Sequence, residues 1–291
     1  GAFARLAERL WGNGKVLSLP PAEALARAGI TPGWQPLGTA PELWVLHRTL
    51  GDGELYFLSS RARDAASAEV SFRVAGRIPE LWDADTGESR PLAWRVEQGR
   101  TIVRLDFDPD GSAFVLFRQP TTATRGNVVA PAEARLLDLD AGWTLSFQPG
   151  RGGPAQPVSA AAGSWSGHAD PGIRYFSGTA TYTRDVRLEA KDKGRLVLDL
   201  GQLRELVDVI VNGRTLRTLW KPPYRLDVTE ALVPGDNRIE LRVTNLWVNR
   251  LIGDLQPGAT PITSTAAPTY RPDADLLPSG LIGPVRLLRT D

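Results

Sequence analysis

Short segments in which apolar and polar residues alternate, each closed by a turn signal, constrain this chain more than any other feature. In IELRV (239–243) the Ile, Leu and Val fall on one side and the Glu and Arg on the other. That period of two is the mark of a half-buried strand, because successive Cβ atoms point to opposite faces. GRLVLDLG, YRLDVT and LVDVIVNGRTLRTLW follow the same rule, and Asn212-Gly213 between DVIV and RTLRTL is a two-residue hairpin signal. Pro234-Gly235-Asp236-Asn237 marks another turn.

The pattern runs in two blocks. ELWVLHRTL, ELYFLSS, AEVSFRVAG and the run from IPELW to AFVLFRQ alternate with the turn signals GDG, DTGE, EQGR and DPDG. This predicts a small antiparallel β-sandwich over 37–120. Trp82 and Trp94 flank its DADTGES turn as expected core or cross-strand aromatics. Residues 121–136 lack periodicity and read as a linker. The second block predicts a jelly-roll sandwich over 137–291. It contains a long, Pro-rich stretch at 255–280, and such loops are usually functional or cover another surface.

Residues 1–36 differ. AFARLAERLW places Leu6, Leu10 and Trp11 on one helical face, GNGK stops it, and VLSL follows. Pro20-Pro21 then opens AEALARAG, with Ser18 as a plausible cap and Gly29 at the end. Helix, strand, helix in so few residues is too little for a core and reads as an α/β remnant of an upstream domain.

The 291 residues suggest about two domains, and 42% hydrophobic content gives each a core. The net charge of +1 favours neither nucleic acid nor an acidic membrane surface. No apolar run reaches the roughly 18 residues of a spanning helix, and no secretory signal is visible. Cysteine is absent, which removes disulfides, thiolate nucleophiles and Cys metal sites. Methionine is also absent and the chain starts Gly1-Ala2, as expected of a processed product or excised fragment.

Glycoside hydrolysis needs two carboxyl groups about 5–9 Å apart across the sugar. Asp83/Asp85, Asp106/Asp108/Asp110, Asp138/Asp140 and Asp273/Asp275 all fall in turns, where solvated carboxylates are the ordinary outcome. DFDPDG opens like a calcium loop, but its twelfth position is Phe117 and a strand follows, so a hairpin turn is expected. His47 sits in a strand as a structural residue; His168 lies in the loop SWSGHADPG. No catalytic pair, metal-ligand spacing or cofactor motif is present.

Sugar binding asks for different groups: aromatic faces for pyranose C–H surfaces, and Asn, Asp or Arg for hydroxyls. Trp165, His168, Trp220, Lys221, Tyr224, Trp247, Asn249 and Arg250 have those types. They are carbohydrate-binding or docking candidates, with core anchoring as the common alternative for jelly-roll aromatics. Three of them lie in TNLWVNRLIGD (244–254), where the alternation of IELRV breaks off. The strand is expected to end near Asn245, with Trp247 and Leu251 anchoring a turn. Asn249, Arg250 and Asp254 would then bond to loop backbone or face another domain. Pairing of Arg250 with Asp254 or with 255–280 would favour docking; a free Arg250 beside Trp220 would favour sugar.

RYFSGTATYTRDVRL, LDLGQLRELVDVIVNG, PYRLDVTEALVPGDNRIELRVTN and SGLIGPVRLL together resemble the galactose-binding-like, sugar-binding-type jelly roll of glycoside hydrolase family 2. WKPPY, TNLWVNRLIGD and LLPSGLIGPVRL resemble more closely the C-terminal end of glycoside hydrolase family 106, the α-L-rhamnosidases. LWVLHRTLGDGELYFLSS, VSFRVAGRIPELWDADTG and GSAFVLFR resemble the domain that precedes it. The resemblance implies a non-catalytic C-terminal region without hydrolase activity of its own. Its partner would be an upstream (β/α)-barrel that carries the catalytic carboxylates and a calcium ion. It also implies a secreted or periplasmic parent acting on rhamnose-containing glycan. An autonomous carbohydrate-binding module and a plain interaction domain are the alternatives.

Overall fold

The computed structural model describes residues 18–84, 86–129, 131–189, 194–266 and 269–290. The expected helix at 2–11 and the first half of VLSL lie outside them. Two compact units divide the chain, Gly1–Val129 and Ala130–Asp291. Helix α1 (Pro21–Arg27) buries none of its residues and is preceded by Pro20, so Ser18 does not cap it.

The first unit contains β1 (Trp34–Leu37), β2 (Leu43–Thr49), β3 (Glu54–Ser60), β4 (Ala66–Phe72) and β5 (Arg77–Trp82). Then come β6 (Ser89–Pro91), β7 (Trp94–Glu97), β8 (Arg100–Phe107), β9 (Ser112–Pro120) and β10 (Arg125–Gly126). They form two antiparallel sheets, ordered β1-β4-β8-β7-β10 and β2-β3-β9-β5-β6. Tyr56, Leu58, Val115 and Phe117 of one sheet meet Val70, Phe72, Val103 and Leu105 of the other in a common core. Trp94 joins this core, whereas Trp82 takes the guanidinium of Arg118 over its ring at 5.3 Å.

Three local expectations are corrected here. β1 pairs with β4, so residues 34–36 belong to this sandwich and not to a remnant. The DPDG turn is no hairpin: β8 and β9 lie in different sheets, so it carries the chain across the core as an arch. The stretch 121–136 is not a bare linker, because β10 pairs with β7 and β11 (Glu133–Asp138) pairs in the second unit. A two-residue strand is too short to show a period, and β11 is exposed along most of its length with a register shift at Arg135/Leu137.

The second unit continues with β12 (Trp143–Phe147), β13 (Val158–Ala160), a 3-10 turn at Trp165–Gly167, α2 (Pro171–Arg174) and β14 (Thr179–Leu188). β15 (Arg195–Asp199), β16 (Gln202–Arg204), β17 (Leu206–Val211), β18 (Arg214–Leu219) and β19 (Arg225–Asp227) follow. Last come β20 (Gly235–Thr244), α3 (Val248–Gly253), β21 (Gly280–Gly283) and β22 (Arg286–Thr290). A six-stranded sheet, β13-β12-β14-β20-β17-β18, and a four-stranded one, β11-β22-β15-β19, contribute to one core; β16 and β21 pair separately. The axis is β14 against β20, in register from Thr179↔Thr244 to Leu188↔Gly235. β20 alternates along its length as IELRV requires.

The Asn212-Gly213 hairpin forms as expected. Both residues have positive φ, 51° and 78°, the geometry of a primed turn that Asn and Gly tolerate best. Asn212 also ties strands together. Its Nδ2 donates to Ala231 O and to Oδ1 of buried Asn237, and its Oδ1 accepts from Arg238 N. The V-x-V-N-G and G-D-N signatures are therefore two halves of one hydrogen-bonded lock.

Candidate functional site

The alternation of β20 stops because Asn245 turns inward to serve backbone. Its Oδ1 accepts from Gly178 N at 2.9 Å and its Nδ2 donates to Phe176 O at 2.8 Å. Beside it the hydroxyls of Thr179 and Thr244 bond at 2.8 Å. The chain then coils into α3 instead of the expected turn.

Helix α3 buries Asn249 and Arg250 together. Asn249 Nδ2 donates to Leu277 O at 2.8 Å, and its Oδ1 accepts from Leu277 N at 2.9 Å. Arg250 N donates to Ser177 Oγ, and the guanidinium pairs with Asp254, Nη2 to Oδ1 at 2.8 Å. These side chains retain only 10% and 6% of their accessible surface. The contact has ion-pair distance without good hydrogen-bond alignment, which leaves Arg250 Nε and Asp254 Oδ1 without a hydrogen bond. The other oxygen, Oδ2, accepts from Ile262 N at 3.1 Å, Thr263 N at 2.8 Å and the Thr263 hydroxyl. A buried acid with a counter-charge on one side and two amides on the other is a loop clamp. Asp254 is the sole buried acid among the described residues.

The clamp ties residues 262–263 to α3, and Asp254 also lines a cavity of about 310 Å³. Leu251, Leu255 and Pro261 give it apolar surface; Thr263, Ser264 and Tyr270 give it hydroxyls.

The eight expected residues do not converge on one groove. Trp165 is a core residue, 3% exposed; its Nε1 donates to the Tyr182 hydroxyl at 2.6 Å, and Phe147 and Phe176 meet it edge-on. Tyr224 is also core, its hydroxyl donating to Glu205 O, with burial first and the Glu205 charge second pushing its pKa up. Both fill the space between the sheets and expose almost none of their surface. Trp220 is 62% exposed, with the Lys221 ammonium 5.7 Å from its ring centre. His168 accepts from Asp170 N at 3.0 Å and lines a separate cavity of about 160 Å³ with Trp165 and Tyr182. Trp247 is 47% exposed and anchors no interior; Arg151 stacks over it at 4.8 Å. Arg151, Ser177 and Tyr182 were not legible as site residues, since nothing in their own segments marks such distant contacts.

The acidic residues expected in turns are engaged locally, but Asp106 lies in β8 and Asp138 ends β11, so those two are not turn residues. Asp83 accepts from Thr86 N, Asp106 pairs with Arg104, Asp138 with Arg135, and Asp273 with Arg271. Asp140 accepts from Val285 N, and Asp85 lies outside the described residues. His47 meets Glu54 at 2.7 Å and stacks on Tyr56 at 4.2 Å, a structural arrangement.

Comparison with known proteins adds the relationship. Residues 1–96 match the glycoside hydrolase family 106 model, described as α-L-rhamnosidase. The structure of a rhamnosidase from Novosphingobium sp. PP1Y superposes with a TM-score of 0.88 at 42% identity, covering 99% of this chain and 28% of that one. A Formosa agariphila protein, provisionally named a β-glucuronidase, is 38% identical over 151 residues, covering 43% of this chain and 13% of its own length. A β-glucuronidase from Ruminococcus gnavus covers 57% of this chain and 30% of its own at 23% identity, with a TM-score of 0.40, too slight to carry an argument. The chain thus spans a minor share of the length of these relatives. The chain is thus similar to the α-L-rhamnosidase family over its first third and to the Novosphingobium rhamnosidase in fold over nearly all of it.

Proposed function

We propose that this chain is an accessory, non-catalytic region of an α-L-rhamnosidase-like glycoside hydrolase, bracing a catalytic barrel carried elsewhere in the parent polypeptide. The observation that carries this reading is the Arg250–Asp254 clamp. Hydrolysis of a glycoside calls for two carboxyl groups facing one sugar. The one deeply buried acid among the described residues instead holds a loop through backbone amides. The Arg250 pairing also favours docking over sugar contact, because the guanidinium is not free beside Trp220.

The test is hydrolysis of a nitrophenyl rhamnoside by the purified chain. No nitrophenol release is expected. Release abolished by a point substitution within these 291 residues would overturn the reading.

A second reading, a carbohydrate-binding module for rhamnose-containing polysaccharide, is motivated by exposed Trp220 beside Lys221. Calorimetry against rhamnogalacturonan separates the two. Binding lost on Trp220→Ala would establish the module, and no heat with the unaltered chain would exclude it for that polymer.

A further inference from the structure

The two sheets of the first unit have opposite outer faces. Outside β4, β8 and β7 the side chains other than Ile102 are mostly polar and paired: Arg95 bonds Glu69 at 2.7 Å and Glu97 at 2.6 Å, and Arg104 bonds Ser67. That is the ordinary solvated face of an antiparallel sheet. The outer face of β2-β3-β9-β5 has an apolar centre, with Arg48 and Glu80 at the two ends of one neighbouring row and Ser59 and Ser112 in the other. Leu46 stands opposite Phe57, Phe57 opposite Phe114, and Phe114 opposite Trp82, one row across four strands. The Phe57 and Phe114 rings lie 4.8 Å apart. Trp44 and Leu46, on the edge strand, are 60% and 69% exposed.

This explains why LYFL and AFVLF are apolar at every position: β3 and β9 are built for burial on both faces. A long apolar edge strand left open is a pairing and aggregation hazard, so a native protein covers it. The rim fits an interface as well. Arg61 lies 4.7 Å over Trp44 and Arg118 lies 5.3 Å over Trp82, and Trp and Arg are the residues that concentrate binding energy at protein contacts.

We infer that this face docks against an apolar surface of the catalytic portion of the parent enzyme. The inference rests on the accessory reading above and names the surface it uses. Two observations select that occupant. The α-L-rhamnosidase family model runs through residues 1–96, which carry Trp44, Leu46, Phe57 and Trp82. The chain covers 28% of the similar rhamnosidase, so most of such an enzyme is available to cover the face. Leu46 and Leu55 share this face with the rings, and such a mixture of aliphatic and aromatic side chains suits a dry protein contact better than a sugar ring.

The experiment compares the 291-residue chain with the complete polypeptide that carries it, by hydrogen exchange and thermal unfolding. Amides of β2 and β3 should exchange at least tenfold more slowly in the complete polypeptide. Leu46→Lys should lower the complete polypeptide's unfolding midpoint by several degrees and leave the isolated chain's midpoint unchanged; Leu46→Met should be silent in both. Equal exchange in the two, or an equal loss in both with Leu46→Lys, overturns the inference. So does a concentration-dependent dimer of the isolated chain that Leu46→Lys abolishes, since the occupant is then a second copy. Any of these with an isolated chain inert on rhamnoside leaves the accessory reading standing, whereas hydrolysis by the isolated chain sinks that reading whatever the exchange result.

Discussion

At the scale of single residues, the ionic centre of TNLWVNRLIGD is one pair. Arg250 and Asp254 are buried at helical i,i+4 spacing, and each depends on the other to offset desolvation. Arg250→Met leaves the Asp254 carboxylate buried without a counter-charge. It should cost roughly 3–5 kcal/mol in urea unfolding of the second unit. Trp220→Ala, on an exposed and unpacked ring, should stay within about 0.5 kcal/mol. Equal effects from the two substitutions would refute the clamp. The i,i+4 spacing could be read from the sequence once α3 was known, but α3 itself could not, because six residues of mixed polarity carry too little periodicity.

At the scale of elements, the SGLIG segment shows a constraint that its composition conceals. Gly280 has φ +85°, and a Cβ there would sit 2.4 Å from the Trp165 ring. The close approach lets Leu281 N reach the Tyr182 hydroxyl at 3.3 Å, the same oxygen that accepts from Trp165 Nε1. Gly280→Ala should therefore destabilise the second unit by about 2–5 kcal/mol, combining overpacking with the cost of a left-handed backbone. A near-UV dichroism spectrum unchanged from the parent, with an unchanged urea midpoint, would show that the ring can yield. Trp165 and Tyr224 looked like surface aromatics because loops and strand ends carry both kinds. The difference lies in what crosses over them, here β21 for Trp165, and that is set by residues more than a hundred positions away.

At the scale of the whole molecule, each unit has its own core, and each core holds a tyrosine with a pKa pushed up to about 12. For Tyr56 the main cause is burial, then the Glu54 charge; for Tyr182 it is burial, partly offset by the Leu281 and Trp165 donors. A raised folded-state value means that the unfolded chain, near 10, releases its proton first. The stabilisation is complete below about pH 10 and is lost as pH rises toward about 12. Urea midpoints should fall across that window, with tyrosinate absorbance appearing as the units unfold. Tyr56→Phe should flatten the fall for the first unit alone and Tyr182→Phe for the second. A fall unaffected by either substitution would place the alkaline sensitivity elsewhere.

The sequence by itself determined most of the longer strands, the Asn212-Gly213 turn, and the inward face of the strands that alternate. Alternation and turn chemistry are local properties, and β20 and the Asn212-Gly213 hairpin follow from them directly. The family 106 resemblance was legible in stretches such as LWVLHRTLGDGELYFLSS and VSFRVAGRIPELWDADTG, which lie within the residues that the family model matches. Tertiary structure alone decided partnership. It sent β8 and β9 to different sheets, drew Trp165 inward, and closed Arg250 on Asp254. It also gave the first unit one mostly polar outer face and one with an apolar centre. An apolar residue at a strand position records that something will cover it, while the identity of the cover is a contact between distant segments that no local pattern encodes.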